Sequence, residues 1–421
     1  MISDHVIIKK RSIWFFVLTA VIALAAYCMK LSTVCFIIAM AQLLAIVCTA
    51  KISIFSLFAI LINFCFIQEY AAYIGVEVYG LLGVSTVPIY FFELFICIYV
   101  FNIVLYMVLK NSNCLNNESE LFKEKLDVGY EFSIILSLLA IIITILIFPT
   151  VPSLKSFLIT GRFNSGIISF TGWSCIPFFF LVVAIINKKA NKFVMLVSAF
   201  VVIWYAFHGE RVDCIGFLAL FAIKYFNEHP GRKAIVKEII GAFILGLVFV
   251  GVGILRSGAK NLTIGDLLHG LFIQSTACDV TYVFNCSVDL AKKGTAFHGV
   301  TYLSYIINCV PLLPDLYSFQ SYIHEFYYTA GGGLFFAEPI ANFGISFACI
   351  FSCFYIALLV SILKKRSRYR YMIYAILCIT VFRSAWYGLN YPITTILYFA
   401  PAVLIAYNLM TRKQRKRLWM S

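Results

Sequence analysis

The sequence predicts an all-α polytopic integral membrane protein, with about 12 transmembrane helices and one large exterior loop containing short helices. Three observations lead there. First, 62% of the 421 residues are hydrophobic and only 12% are charged, with a mean hydropathy of +0.95; soluble domains hold roughly 45–50% apolar and about 25% charged residues. Second, apolar runs approaching the ~20 residues that cross a bilayer recur from residue 12 to residue 409. Third, the basic residues gather between those runs rather than along them. A soluble enzyme, a disordered chain and a secreted disulfide scaffold are excluded.

The runs follow one another with short polar breaks. Those in the first half are 12–29, 31–50, 52–74, 88–109, 131–149 and 166–187; the rest are 192–207, 211–226, 235–255, 340–363, 371–388 and 391–409. All belong to one membrane domain, 1–421. The first run, Ile13–Met29, lacks a small-residue cleavage site and leads directly into further runs, so it reads as a span and not as a signal peptide. No internal repeat of fixed period is apparent.

The net charge of +14 is a topology signal. The clusters Lys9-Lys10-Arg11, Lys188-Lys189 with Lys192, Arg232-Lys233, Lys364 to Arg370 and Arg412 to Arg417 fall on one side when both termini are cytoplasmic. That orientation puts 24 of the 33 Lys and Arg inside, as the positive-inside rule requires, and no nucleic-acid face is needed to explain them. It makes 110–130 a cytoplasmic loop, read as a polar surface helix, and 256–338 a large periplasmic loop between spans nine and ten. Within that loop the apolar stretch 299–313, bounded by Pro311 and Pro314, reads as interfacial or re-entrant. Most of the 14 cysteines lie in apolar runs and act as small hydrophobes, while Cys278 and Cys286 are placed for an optional disulfide in the exported loop.

Chemistry has to come from a few polar groups. P-loop, GxGxxG, HExxH and GxSxG motifs are absent from the sequence, as is an exterior Asp-x-Asp pair, so metal-independent chemistry without a cofactor is expected. Arginine is unusually frequent at the exterior ends of spans: Arg162, Arg211, Arg256 and Arg383. A guanidinium presents a planar fork to phosphate oxygens and stays charged when partly buried, so a set at one membrane depth suits a phosphate-bearing substrate. A purely structural alternative pairs Arg211 with Glu210 or Asp213 and stacks Arg383 on Trp386 or Tyr387.

The turn His208-Gly209-Glu210-Arg211-Val212-Asp213 is dense in ionisable groups for a hairpin. A third constellation, Gly331-Gly332-Gly333 then Glu338-Pro339-Ile340-Ala341-Asn342-Phe343-Gly344, places Glu338 at the expected start of the tenth span, with Asn342 one turn in. Glu69 and Glu93 are expected as counter-charges to the arginines or as structural ion-pair partners.

The turn ending in Gly209-Glu210-Arg211, the late exterior loop and the Gly-Gly then Glu-Pro-x-x-Asn-Phe-Gly run together resemble the Wzy-type O-antigen polymerases, the oligosaccharide repeat-unit polymerases of bacteria. The Arg-x10-Gly spacing described in some members is not met; Arg162 to Gly172 is one residue short. The resemblance implies an inner-membrane glycosyltransferase of lipopolysaccharide and surface-polysaccharide synthesis. Its donor would be an oligosaccharide on undecaprenyl pyrophosphate, its setting the lipid bilayer, and its further partner a chain-length regulator.

In that reading Arg211, Arg256 and Arg383, with Arg162 behind them, hold the pyrophosphate. Glu338 or His324 acts as base, and His208, Asn342 and loop aromatics such as Tyr328 bind sugar. Neighbouring arginines would keep Glu338 a weak base, whereas a neutral His is poised near pH 7. A lipid-linked oligosaccharide flippase without chemistry, and an O-antigen ligase differing only in its acceptor, are the alternatives.

Overall fold

The computed structural model describes residues 19–80, 88–123, 129–151, 173–186, 192–208, 210–229, 263–308, 316–329, 331–364 and 367–420, with scattered positions between 231 and 250. Its regular structure there is helical. The first half holds α1 (Thr19–Cys28), α2 (Ser32–Ala50), α3 (Ile54–Tyr73), α4 (Phe91–Asn111), α5 (Cys114–Lys123), α6 (Tyr130–Ile147), α7 (Ile176–Ile186), α8 (Lys192–Phe207) and α9 (Arg211–Glu228). The second half holds α10 (Ile264–Phe272), α11 (Ser275–Lys292), α12 (Val300–Ile307), α13 (Phe319–Phe326), α14 (Ala337–Phe343), α15 (Ile345–Lys364), α16 (Arg368–Ile379), α17 (Val381–Trp386), α18 (Asn390–Thr394) and, after a π turn, α19 (Ala400–Met420).

Six described helical runs are long and apolar enough to cross a membrane: α2, α3, α4, α6, α15 and Asn390–Arg412. Thr19–Cys28, α7, α8 and Tyr369–Ile379 are apolar but shorter. The run 235–255 lies largely outside the described residues, as does the first part of 12–29.

The axis of the bundle is α3, which packs on α2, α4, α11 and α17. A Ser53 cap starts it, the Ser53 and Ser56 side chains each accepting from the other's backbone N–H. Buried Asn63 and Asn102 exchange two amide hydrogen bonds of 3.0 Å, joining α3 to α4 where no water can serve them. By contrast α2 buries only Cys35, Ala39, Ile46 and Ala50, leaving its other faces apolar and half-buried or exposed.

Four expectations change. The tenth span does not begin at Pro339. Gly344, at φ 85°, ends α14 and lets α15 start afresh at Ile345, so Glu338 and Asn342 sit on a separate seven-residue helix. The run 371–388 is not one helix either, because it breaks at Thr380 between α16 and α17.

The helix of the 110–130 loop is docked and not a surface element. Cys114, Glu118 and Leu121 are buried, and Glu118 accepts from the Ile54 N–H at 3.2 Å and from the Tyr374 hydroxyl. Finally, Cys278 and Cys286 form no disulfide and share α11. Eight residues at about 1.5 Å rise separate them by roughly 12 Å, beyond the ~7 Å that a disulfide spans.

The long loop contributes more than short helices. Within it α11 has 18 residues and buries Val280, Thr281, Val283 and Phe284 against the bundle. Its Asn285 amide donates to both oxygens of the fully buried Glu69, at 3.2 and 3.3 Å. Gln68 pins the turn before it, donating to the Phe272 carbonyl at 2.7 Å and accepting from the Gln274 N–H at 3.3 Å.

Candidate functional site

Glu338 lies at the meeting point of α12, α14 and the segment after α17. Thr301 and Tyr305, four residues apart and so on one face of α12, both donate to its carboxylate, Thr301 to Oε1 at 2.6 Å and Tyr305 to Oε2. Asn342, one turn along α14, holds this pair in register. Its Nδ2 donates to Thr301 Oγ1 at 2.8 Å and to the Glu338 carbonyl at 2.9 Å, while its Oδ1 accepts from the Gly299 N–H at 2.7 Å. Gly299 takes φ 84° to open α12, a conformation that costs a glycine little.

Among the described residues these partners are neutral hydroxyls. Burial pushes the Glu338 carboxyl up to about 8, with the Thr301 hydrogen bond pulling the other way. The shift is therefore opposite to the one expected, and a carboxylate of that pKa is a competent general base near neutrality.

The second cluster is ionic. Arg383, buried on α17, grips Asp213 through Nε to Oδ1 at 3.2 Å and Nη2 to Oδ2 at 2.8 Å, and reaches Glu210 Oε2 at 2.5 Å. Its guanidinium also lies over the rings of Tyr391 at 4.5 Å and Tyr387 at 5.6 Å. A Cβ at Gly216 would stand 1.7 Å from the Ile379 carbonyl oxygen. Only glycine lets α9 lie so close, and that approach brings Asp213 to Arg383, one turn beyond Ile379. Both hairpin acids are thus ion-paired with Arg383, whose fork is committed to them.

The glycine run welds the two clusters together. Gly331 and Gly332 have φ 86° and 84°. The Gly333 N–H donates to the Trp386 carbonyl at 2.9 Å and the Phe335 N–H to that of Ala385 at 2.8 Å. Side chains are excluded here, since a Cβ on Gly332 would meet the Trp386 oxygen and the Tyr387 ring at 3.0 Å, and one on Gly333 would meet Phe319 at 2.8 Å. Beside Glu338 lies a small pocket of about 10 Å³, room for about one water, lined by Tyr302, Phe319, Glu338, Ser384, Tyr387 and Gly388 among others.

The remaining predicted residues lie differently. His208 caps α8 with Nδ1 2.7 Å from the Trp204 carbonyl and Nε2 2.8 Å from that of Thr150, so both ring nitrogens are engaged by backbone. His324 is exposed, beside Thr329 at 3.4 Å and against Gly331. Tyr328 is exposed, outside the pocket lining. Arg211 opens α9, its side chain outside the described residues, and Arg162 and Arg256 lie outside them altogether. Glu93 pairs with Lys292 at 2.6 Å.

Thr301, Tyr391, Gly388 and Gly216 were not singled out from sequence. The Thr-x-x-x-Tyr spacing of 301 and 305 was the available signal, hidden inside a run read only for its apolarity. No protein family, no curated protein and no solved structure matches the chain.

Proposed function

We propose that the chain is a bacterial inner-membrane polymerase that joins polyprenyl-pyrophosphate-linked oligosaccharide repeat units on the periplasmic side of the membrane. In this reading it has twelve spans, both termini are cytoplasmic, and 256–338 faces the periplasm. The observation that carries the proposal is the joining of three sequence segments through 383–388, which holds the first by ion pairs and lines a pocket with the third. These are the hairpin acids Glu210 and Asp213, the Arg383–Gly388 segment, and the glycine run leading to Glu338.

Glu338 takes the proton of an acceptor sugar hydroxyl. The oxygen forms a new bond to the anomeric carbon of the donor as that carbon's bond to pyrophosphate breaks. The pyrophosphate departs with the bonding pair, and Glu338 returns its proton to solvent or to that leaving group. Cations stabilise the departing charge. With the Arg383 fork held by Asp213, this task falls to Arg211 and Arg256, and Arg383 is a positioning residue that fixes the floor of the pocket.

The test is incubation of purified protein with lipid-linked repeat units, followed by product sizing. A ladder of one-unit steps is expected. Movement of unaltered units across the bilayer would indicate a flippase, and product only when a separate acceptor is supplied would indicate a ligase.

A further inference from the structure

Two short helices of the long loop, α12 and α13, are built with opposite polarity. In α12 the polar residues face inward. Thr301, Ser304 and Tyr305 are buried, Thr301 and Tyr305 donating to the Glu338 carboxylate and Ser304 to the Thr301 carbonyl at 2.5 Å. Its apolar residues face outward, with Val300 38%, Leu303 55% and Ile306 58% exposed at three-residue spacing along one stripe. In α13 the order is the usual one. Phe319 and Ile323 are buried, while His324 and Glu325 are exposed ahead of an exposed Phe326.

A helix at a protein–water surface buries its apolar stripe and exposes its polar one. The reverse arrangement suits a helix whose outer medium is itself apolar, as lipid tails are. In water α12 would leave three neighbouring aliphatic side chains wet while burying its own hydroxyls, the kind of exposure that calls for a cover. The apolarity of 299–313 alone does not separate these cases, since apolar residues packed into the protein would read the same. The direction in which they face does.

The neighbour of α12 indicates what the cover is. Helix α15 is long and apolar enough to cross a membrane, and Ile350 and Phe354, one turn apart on it, are 63% and 64% exposed. A row of rings joins the two helices: Phe343 and Phe347 with centroids 4.5 Å apart, Phe347 and Phe351 at 6.3 Å, and Phe351 stacked on Tyr302 at 6.0 Å. Phe343 closes the junction, since a Cβ at Gly299, at the head of α12, would stand 3.0 Å from its ring. The stripe of α12 therefore adjoins the apolar surface of a helix of spanning length.

We propose that acyl chains of the bilayer cover the Val300, Leu303 and Ile306 stripe, so that α12 is immersed beside α15 while the middle of α13 stays in water. Tyr317 and Tyr328, exposed beyond the two ends of α13, then lie at the boundary, where amphipathic rings gather. The Glu338 carboxylate, on the opposite side of α12, is about one helix diameter, roughly 10–12 Å, from lipid. This contact does not depend on the polymerase reading, and a missing ladder would leave it standing.

The experiment uses the wild-type, full-length protein in phosphatidylcholine nanodiscs, with part of the lipid carrying a diazirine midway along one acyl chain. After irradiation, peptide mapping by mass spectrometry locates the acyl adducts. A second sample is oxidised by hydroxyl radicals generated in the water. Adducts on Ile350 and Phe354 set the level for lipid contact, and oxidation of His324 sets the level for water. Acyl adducts are expected on the α12 stripe at the α15 level. Its lipid-to-water labelling ratio should be roughly tenfold or more above that of His324, because the hydrocarbon region holds no water.

Oxidation of the stripe without acyl adducts would place it in water and overturn the proposal. Protection from both reagents would overturn it as well, and would mean that a second copy or another part of the chain covers the stripe.

Discussion

The Arg383 and Glu338 clusters adjoin through Tyr387 yet differ in how their charges are met. Arg383 is saturated: two carboxylates and two tyrosine faces surround one guanidinium. Among the described residues the Glu338 carboxylate meets two hydroxyls, from Thr301 and Tyr305, and no cation. A saturated buried charge holds elements together, and an unsaturated one can still react. Position along the sequence made both look like functional residues; their partners divide the work between them.

The comparison breaks first at Arg383. Removing one member of a buried ion pair leaves the other charges uncompensated, at a cost of about 3–5 kcal/mol. Arg383→Ala should therefore lower the unfolding temperature sharply and reduce yield, because Asp213 is fully buried. Arg383→Lys keeps the charge but loses the fork on Asp213, and an intermediate loss is expected. An unchanged unfolding temperature in both would show that the cluster is not a structural keystone.

Proton linkage sharpens the contrast at Glu338. Its carboxyl is raised to about 8 in the folded protein, above the ordinary carboxylate value. The folded state thus favours the protonated form. The stability this gives is complete below the unfolded-state pKa and is lost as pH rises through the folded value of about 8. Catalysis runs the other way, since the base must be ionised, so turnover should climb across the same range. Unfolding curves and rates from pH 6 to 9, with Glu338→Gln as the control lacking both trends, check the two signs together.

Asn342 should show a smaller effect of a different kind. It touches Thr301, Gly299 and the Glu338 backbone, and does not touch the carboxylate oxygens. Asn342→Ala should lower turnover about tenfold and move the pH midpoint of the rate, because Thr301 loses its orientation. A loss of stability with an unmoved midpoint would make it purely structural. Smallest of all, His324→Ala should change turnover less than threefold, its ring being exposed beside the glycine run; a dead variant would hand the base to His324.

The legible part of the fold was set by length and polarity. Apolar runs identified α2, α3, α4 and α6 to within a few residues, because lipid demands internally bonded helices of a given length. The breaks at Gly344 and Thr380 were not legible, since both lie inside apolar stretches where hydropathy does not change. Burial of α5 was hidden for the opposite reason, its polar residues suggesting a surface although Glu118 finds two donors inside.

At the site, Glu338, Asn342 and Arg383 were visible as residue types. Their partners were not, for Thr301 and Tyr305 lie some 35 residues upstream of Glu338, and Asp213 lies 170 residues from Arg383. Cys278 and Cys286 show the hazard of judging a pair by location alone, when helix geometry forbids their union.

The central claim, that Glu338 is the base of a polymerising glycosyl transfer, is tested most directly by product sizing. Wild type and Glu338→Gln, matched for unfolding temperature at pH 6, are given the same purified polyprenyl-pyrophosphate-linked repeat units at pH 8. A ladder from wild type is expected, with a rate lower by roughly 10²–10⁴-fold from the variant. A ladder of equal rate and length from Glu338→Gln would contradict it.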